Sequence, residues 1–212
     1  TTDQIATLTT AEVAALSTAQ LAAINSTAIA ALDVNQFEAI STFALGALTT
    51  RQIAALTTEH IGTLSSADIT ALQTRQVAAL STQAIAVLDE DQIGAFSTSA
   101  IAALSTKQIA MLSAGQVGFL DTADVRALTS RQAAVLNTSQ IASLDPEDIG
   151  AMTSAQLAAL NTRAIAVLNV DQLASITSTN IAALTVKQVG TLSTDQCMVL
   201  DTPQFGALTS GQ

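Results

Sequence analysis

The chain contains no tryptophan, no tyrosine, one cysteine and one histidine among its 212 residues. Each shortage closes off a class of function. A lone Cys197 cannot build an intrachain disulfide framework, and a lone His60 has no second imidazole with which to hold a metal or complete a catalytic pair. Beside His60 the five phenylalanines are the only aromatic side chains, too few to offer stacking platforms to bases. Seven lysines and arginines stand against 17 aspartates and glutamates, for a net charge of −10. That balance disfavours nucleic acid, whose phosphates are held by clustered positive charge. No apolar run approaches the ~18 residues of a membrane-spanning helix, so no insertion into a bilayer is expected. Even so, 49% of the residues are hydrophobic, enough to build a sizeable core.

What the chain does have is one octapeptide, repeated 26 times without insertion or deletion and followed by the half-unit Thr209-Ser210-Gly211-Gln212. In frame it runs TTDQIATL, TTAEVAAL, STAQLAAI and so on to DTPQFGAL. Position one is Ser, Thr, Asp or Asn in every unit except the one that opens with Gln73. These are the residues whose short side-chain oxygen accepts a hydrogen bond from an unpaired N–H at a helix start. Position four is Gln in 15 units, which completes a capping box by reaching back to the N–H of the cap residue. Position five is Ile, Val, Leu or Phe except at Ala133 and Cys197, and position eight is Leu, Ile, Met or Phe throughout. Residues three apart share a helix face, so each unit carries a start signal and a two-residue apolar stripe. Position six takes seven of the nine glycines, as expected where a neighbouring backbone passes closely. Pro146 falls at the first helical residue, where its missing N–H costs nothing, and Pro203 also lies in a first turn.

Two other architectures fail on geometry. In a single long helix eight residues advance by roughly 800°, so the apolar pair would rotate by ~80° per unit and spiral around the rod. In a β-solenoid, Ile-x-x-Leu would put its two large side chains on opposite faces of a strand, with Ala and Gln as poor strand formers. The pattern therefore predicts an all-α solenoid over residues 1–212, a single domain of consecutive helices of roughly six or seven residues. Positions five and eight face inward and position three outward. One octad cannot fold alone, because burying one Ile and one Leu does not offset the entropy of ordering eight residues. Stability must come from stacking on adjacent coils.

A second period lies over the first. Arg51, Lys107 and Arg163 step by seven octads, as do Arg75, Arg131 and Lys187, all at position three. Asp33, Asp89, Asp145 and Asp201 do the same at position one, and Glu12, Asp68, Asp124 and Asn180 at position four. Seven octads thus make a superrepeat. Duplication of a seven-octad block would produce it. So would geometry, since a coil of about 28 residues would bring the basic residues onto one face; by analogy with coiled-coil heptads, two coils per superrepeat is the favoured arrangement.

No residue stands out as catalytic, cofactor-binding or metal-ligating, and no enzyme is expected. His60 replaces Gln at position four and reads as a capping or surface residue, Cys197 as a small buried apolar one. The acidic clusters Asp89-Glu90-Asp91 and Asp145-Pro146-Glu147-Asp148 suggest calcium, yet both open an octad, where acids suit the helix macrodipole. Ser and Thr are explained as caps and first-turn residues, and a regular frame leaves no loop on which to build a site. Ice binding is the main alternative, since a Thr- and Ala-rich lattice with few charges brings it to mind. Its best file, position two, is Thr in 15 of 26 units and is interrupted by Val34, Glu90 and Pro146 at the same place in successive superrepeats. A calcium-dependent adhesin segment is the second alternative.

The stretches LTTAEVAALSTAQLAAI and LTTRQIAALTTEHIGTL resemble the Thr/Gln/Ala/Leu octapeptide arrays of very large bacterial adhesion and haem-utilisation exoproteins. The resemblance covers the whole chain, but it is to a repeat and carries over no functional residue. It implies secretion or surface display, with the array as a stalk, spacer or interaction scaffold whose partners are other proteins or neighbouring copies. LTTRQIAAL also looks like the first helix of the repeats in plant-pathogen DNA-binding effectors, but the longer unit, the base-reading pair and the basic surface of that family are missing. With no initiator Met, no signal peptide, no polar capping repeats and a final half-octad, the chain reads as a segment of a longer array.

Overall fold

The computed structural model describes residues 2–212, and among them every octad forms one α-helix. We number the 26 helices α1 to α26 by octad, from α1 (Thr2–Ala6) to α26 (Thr202–Ala207). They run four to six residues, as in α6 (Thr42–Leu45) and α7 (Thr50–Ala55), a little shorter than the sequence pattern predicts. The reason lies in the corners. Position one is an extended N-cap, with Thr49 at φ −70°, ψ 157°, and position eight can also be extended, with Leu56 at φ −60°, ψ 140°. Only positions two to seven are then left to be helical. No described residue has positive φ, so the chain turns each corner without a left-handed glycine cap.

The start signals work as the pattern predicts. Thr49 Oγ1 accepts from the Gln52 N–H at 3.3 Å while Gln52 Oε1 accepts from the Thr49 N–H at 2.7 Å, and the same reciprocal box recurs at Ser105 and Gln108. Gln73, the exceptional position-one residue, has its N–H received by Gln76 Oε1 at 2.7 Å and sends its own amide to the Gly46 carbonyl.

Contacts divide the chain into two units, residues up to Leu104 and residues from Ser105. In each, a helix packs chiefly on the third one along. In the first unit α4 (Ser26–Ala30) packs on α7; in the second, α16 (Thr122–Ala127) packs on α19 (Pro146–Ala151), which packs on α22 (Val170–Ala174). Side-chain bonds fix the coil more sharply. Gln52 Nε2 donates to the Leu21 and Ile24 carbonyls, 31 and 28 residues back, at 2.6 and 2.7 Å. In the second unit Gln140 makes the same pair of bonds to Ile109 and Leu112 at 2.9 and 2.8 Å. One coil is therefore 28 residues, or three and a half octads. The 56-residue superrepeat spans two coils.

Positions five and eight fill the interior. Position five is buried from Val13 to Ile181 and position eight from Leu32 to Leu184, while position three is exposed in every octad. Burial is lower in the first and last coils: Leu8, Leu16 and Ile24 are half-buried, and Phe205 is 50% exposed. Cys197 belongs to that last coil and is half-buried rather than buried. The position-six glycines behave as expected in three coils. A Cβ on Gly46, Gly118 or Gly150 would come within 3.3, 3.0 or 2.9 Å of a backbone carbonyl oxygen in the next coil, that of Ala71, Ser143 or Ser175. Gly62 and Gly206 have open space instead, and close approach does not explain them.

Candidate functional site

The most elaborate chemistry in the molecule is a ladder of buried amides. A helix leaves its first N–H groups and its last carbonyls without intrahelical partners, and with a helix in every octad this problem recurs at every corner. The position-four glutamine answers both halves at once. Its Oε1 receives the cap N–H of its own helix, and its Nε2 crosses to carbonyls at the end of a helix four octads earlier. Gln172, fully buried, receives the Asn169 N–H at 2.9 Å and donates to Ile141 and Leu144 at 3.0 and 2.7 Å. Gln188 repeats the arrangement toward Leu157 and Leu160, both at 2.8 Å. Sequence reasoning accounts for the first bond and misses the second. The signal is present: a capping box accepts Glu as readily as Gln, yet position four is Gln 15 times and Glu once. Only Gln has a donor left to give.

Substitutions in the ladder show the same rule. His60 is a cap, as expected, but it is 2% exposed and not a surface residue. Thr57 N–H donates to its Nδ1 at 3.4 Å and its Nε2 lies 2.8 Å from the Leu32 carbonyl. An N–H can only donate and a carbonyl only accept, so this is the Nε2–H tautomer acting in the place of glutamine. Its ring stacks on Phe37 with centroids 4.5 Å apart. Asn180 reaches the Met152 carbonyl at 2.8 Å, and in the octad where position four is Ala164 the cap Asn161 turns its Nδ2 to Leu136 at 3.2 Å instead.

Acids at position four divide by their surroundings. Burial alone would raise the Asp68 carboxyl, but the Ser65 hydroxyl, the Thr42 hydroxyl from another coil at 2.7 Å and the Ser65 N–H hold it below its usual range. Glu12 is held low by the Thr9 N–H and hydroxyl. Asp148 goes the other way: burial pushes its carboxyl up, the Asp145 N–H opposes this, and the charges of Asp145, Asp121 and Glu147 add to it. A carboxylate here has no hydrogen to offer the Leu120 carbonyl, its counterpart one coil back. Asp148→Gln is therefore expected to stabilise the fold by about 1–2 kcal/mol at neutral pH. Because the folded state takes up this proton more readily than the unfolded one, acidification favours the native wild type. The gap between the two proteins should narrow as pH falls from neutral toward the ordinary aspartate range, in urea melts across pH.

Of the acidic clusters singled out from the sequence, Asp89, Glu90, Asp91, Asp145 and Glu147 are exposed, whereas Asp148 is buried. Asp121, Asp145, Glu147 and Asp148 line one shallow groove, but among the described residues no three His, Cys, Asp or Glu side chains are grouped so as to hold a metal ion. The position-two file is exposed or half-buried along its length, and Glu90 breaks it with an exposed charge. No described helix is long and apolar enough to cross a membrane.

The sequence model of the ALTTAQ repeat matches residues 1–34, 29–66, 64–98, 91–122, 119–154, 141–178 and 149–186. The chain belongs to the ALTTAQ repeat family. Two successive pairs of ALTTAQ matches, at 1 and 29 and at 91 and 119, start one structural coil apart. No match was found among curated proteins. An all-helical ALTTAQ array with this economy of groups fits a structural repeat scaffold.

Proposed function

We propose that this ALTTAQ array is a non-catalytic spacer and protein-interaction scaffold, displayed as part of a larger secreted or surface polypeptide. The observation that carries the reading is the ladder: the recurring polar side chains are spent on capping corners and joining coils, and variation is concentrated at the outward position three. The resemblance to bacterial exoprotein arrays supports the location. A spacer of this kind should have a length set by its number of coils. Deleting residues 57–112, a seven-octad block that keeps both the octad and the coil in phase, should shorten the particle in small-angle scattering and leave its helical circular dichroism per residue unchanged, since each repeat contacts only its neighbours. Global unfolding of the deletion protein would contradict the proposal.

A further inference from the structure

Charge is distributed around the coil in a way that folding does not require. In the second unit Lys107 and Arg131 are three octads apart, half an octad short of a coil; Arg131 and Arg163 are four octads apart, half an octad beyond it; Arg163 and Lys187 are again three octads apart. With one turn per 28 residues, shown by the bonds from Gln140 to Leu112 and from Gln188 to Leu160, these four exposed residues form a single narrow stripe along one edge. The acids keep to the other side. Asp145 and Asp201 are two coils apart and Asp121, Glu147 and Asp171 lie within a few residues of the same line, all five exposed. Asp145 follows Arg131 by half a turn of the coil. The first unit has the same division: Arg51 and Arg75 fall in the basic sector, and Asp33 and Asp89, each seven octads before the next of their series, in the acidic one.

Helix chemistry explains the residue types but not their sides. Aspartate is a good cap, yet Ser, Thr and Asn also cap well and, with Gln73, occupy position one around the rest of the coil. Position three is exposed in every octad, yet six of the seven basic residues use it in one sector only. Arg126 and Asp195 are the two exceptions in the second unit. Two opposite edges of opposite sign, repeating with the same two-coil period, are complementary to each other and to no partner better than to another array of the same pitch.

We propose that the array binds a second copy of itself side by side, the basic edge of one against the acidic edge of the next. This rests on the scaffold reading and names its partner. Because the two edges lie on opposite sides, the contact is heterologous and leaves a free edge on each outer copy, so association continues past a dimer. The net charge of −10 opposes close approach, but at physiological salt it is screened beyond about 8 Å, whereas the facing edge charges meet at shorter range.

Sedimentation velocity of the full chain over a concentration series tests this. The weight-average mass should rise with concentration to about twice that of one chain or more at ~0.15 M salt and return to the monomer at ~1 M, where screening reaches ~3 Å. A variant with Lys107→Glu, Arg131→Glu, Arg163→Glu and Lys187→Glu should remain monomeric, and so should one with Asp121, Asp145, Glu147, Asp171 and Asp201 changed to Lys. An equimolar mixture of the two should associate again, which separates loss of the edge from loss of the fold. A monomer at every salt concentration, or association unaffected by either variant, would overturn the proposal. So would stripe-dependent binding of polyphosphate by a chain that does not self-associate, since the occupant would then be an acidic polymer. None of these outcomes bears on whether the deletion of residues 57–112 shortens an intact particle, so the scaffold reading stands or falls separately.

Discussion

Gln140→Glu is expected to destabilise the protein by about 3 kcal/mol or more, although it exchanges one NH2 group for an oxygen. Gln140 is fully buried and donates to the Ile109 and Leu112 carbonyls. Glutamate would keep the bond from the Asn137 N–H but would turn a carboxylate oxygen toward two carbonyl oxygens, in a place with no water to screen it. The control is Gln20→Glu. Gln20 makes the same capping box with Ser17 but is exposed in the first coil, and its change should fall within about 0.5 kcal/mol. Urea melts of the two variants give the comparison. Equal effects would mean that position four serves only as a cap.

Leu160→Asp should cost several kcal/mol, because the side chain is 3% exposed within the inner file of position eight and an unpaired charge there has no compensation. Arg131→Ala, by contrast, removes an exposed position-three residue and should lie within about 0.5 kcal/mol as a surface change. Urea melts of both variants check the facing assignment, and similar losses would refute it.

How much of this is legible in the sequence depends on whether the relevant contact is local. The caps, the helix per octad and the inward Ile-x-x-Leu pair follow from residues three apart in the chain, and these are where pattern and structure agree. The coil length is half legible: the seven-octad spacing of Arg51, Lys107 and Arg163 allows a coil of half that length but also a block duplication, and only bonds such as Gln76 to Leu48 decide it. The amide ladder is not legible, because its second partner lies a whole coil away and a capping box already accounts for the glutamine. His60, read as a capping or surface residue, is a cap, but its burial is missed for the same reason, since its second bond is visible only once Leu32 is known to lie against it. Cys197 differs from its expected burial in being half-buried, as is Val189 at the preceding position five. The candidate site fares worst, since the fold itself gives the repeat's polar groups their partners.

The chain returns upon itself every three and a half octads, and one engineered disulfide tests this most directly. The Thr74 and Ser99 side-chain oxygens, 25 residues apart in the chain, lie 3.4 Å from each other on the surface, so cysteines there could approach the roughly 3.5–4.5 Å between Cβ atoms that a disulfide requires. In a continuous helix the same two residues would be ~37 Å apart. In a Cys197→Ser background, Thr74→Cys with Ser99→Cys should form an intrachain bridge on mild oxidation, seen as one linked peptide in non-reducing mass spectrometry. Two free thiols in a chain that remains helical, or bridges only between chains, would contradict the 28-residue coil.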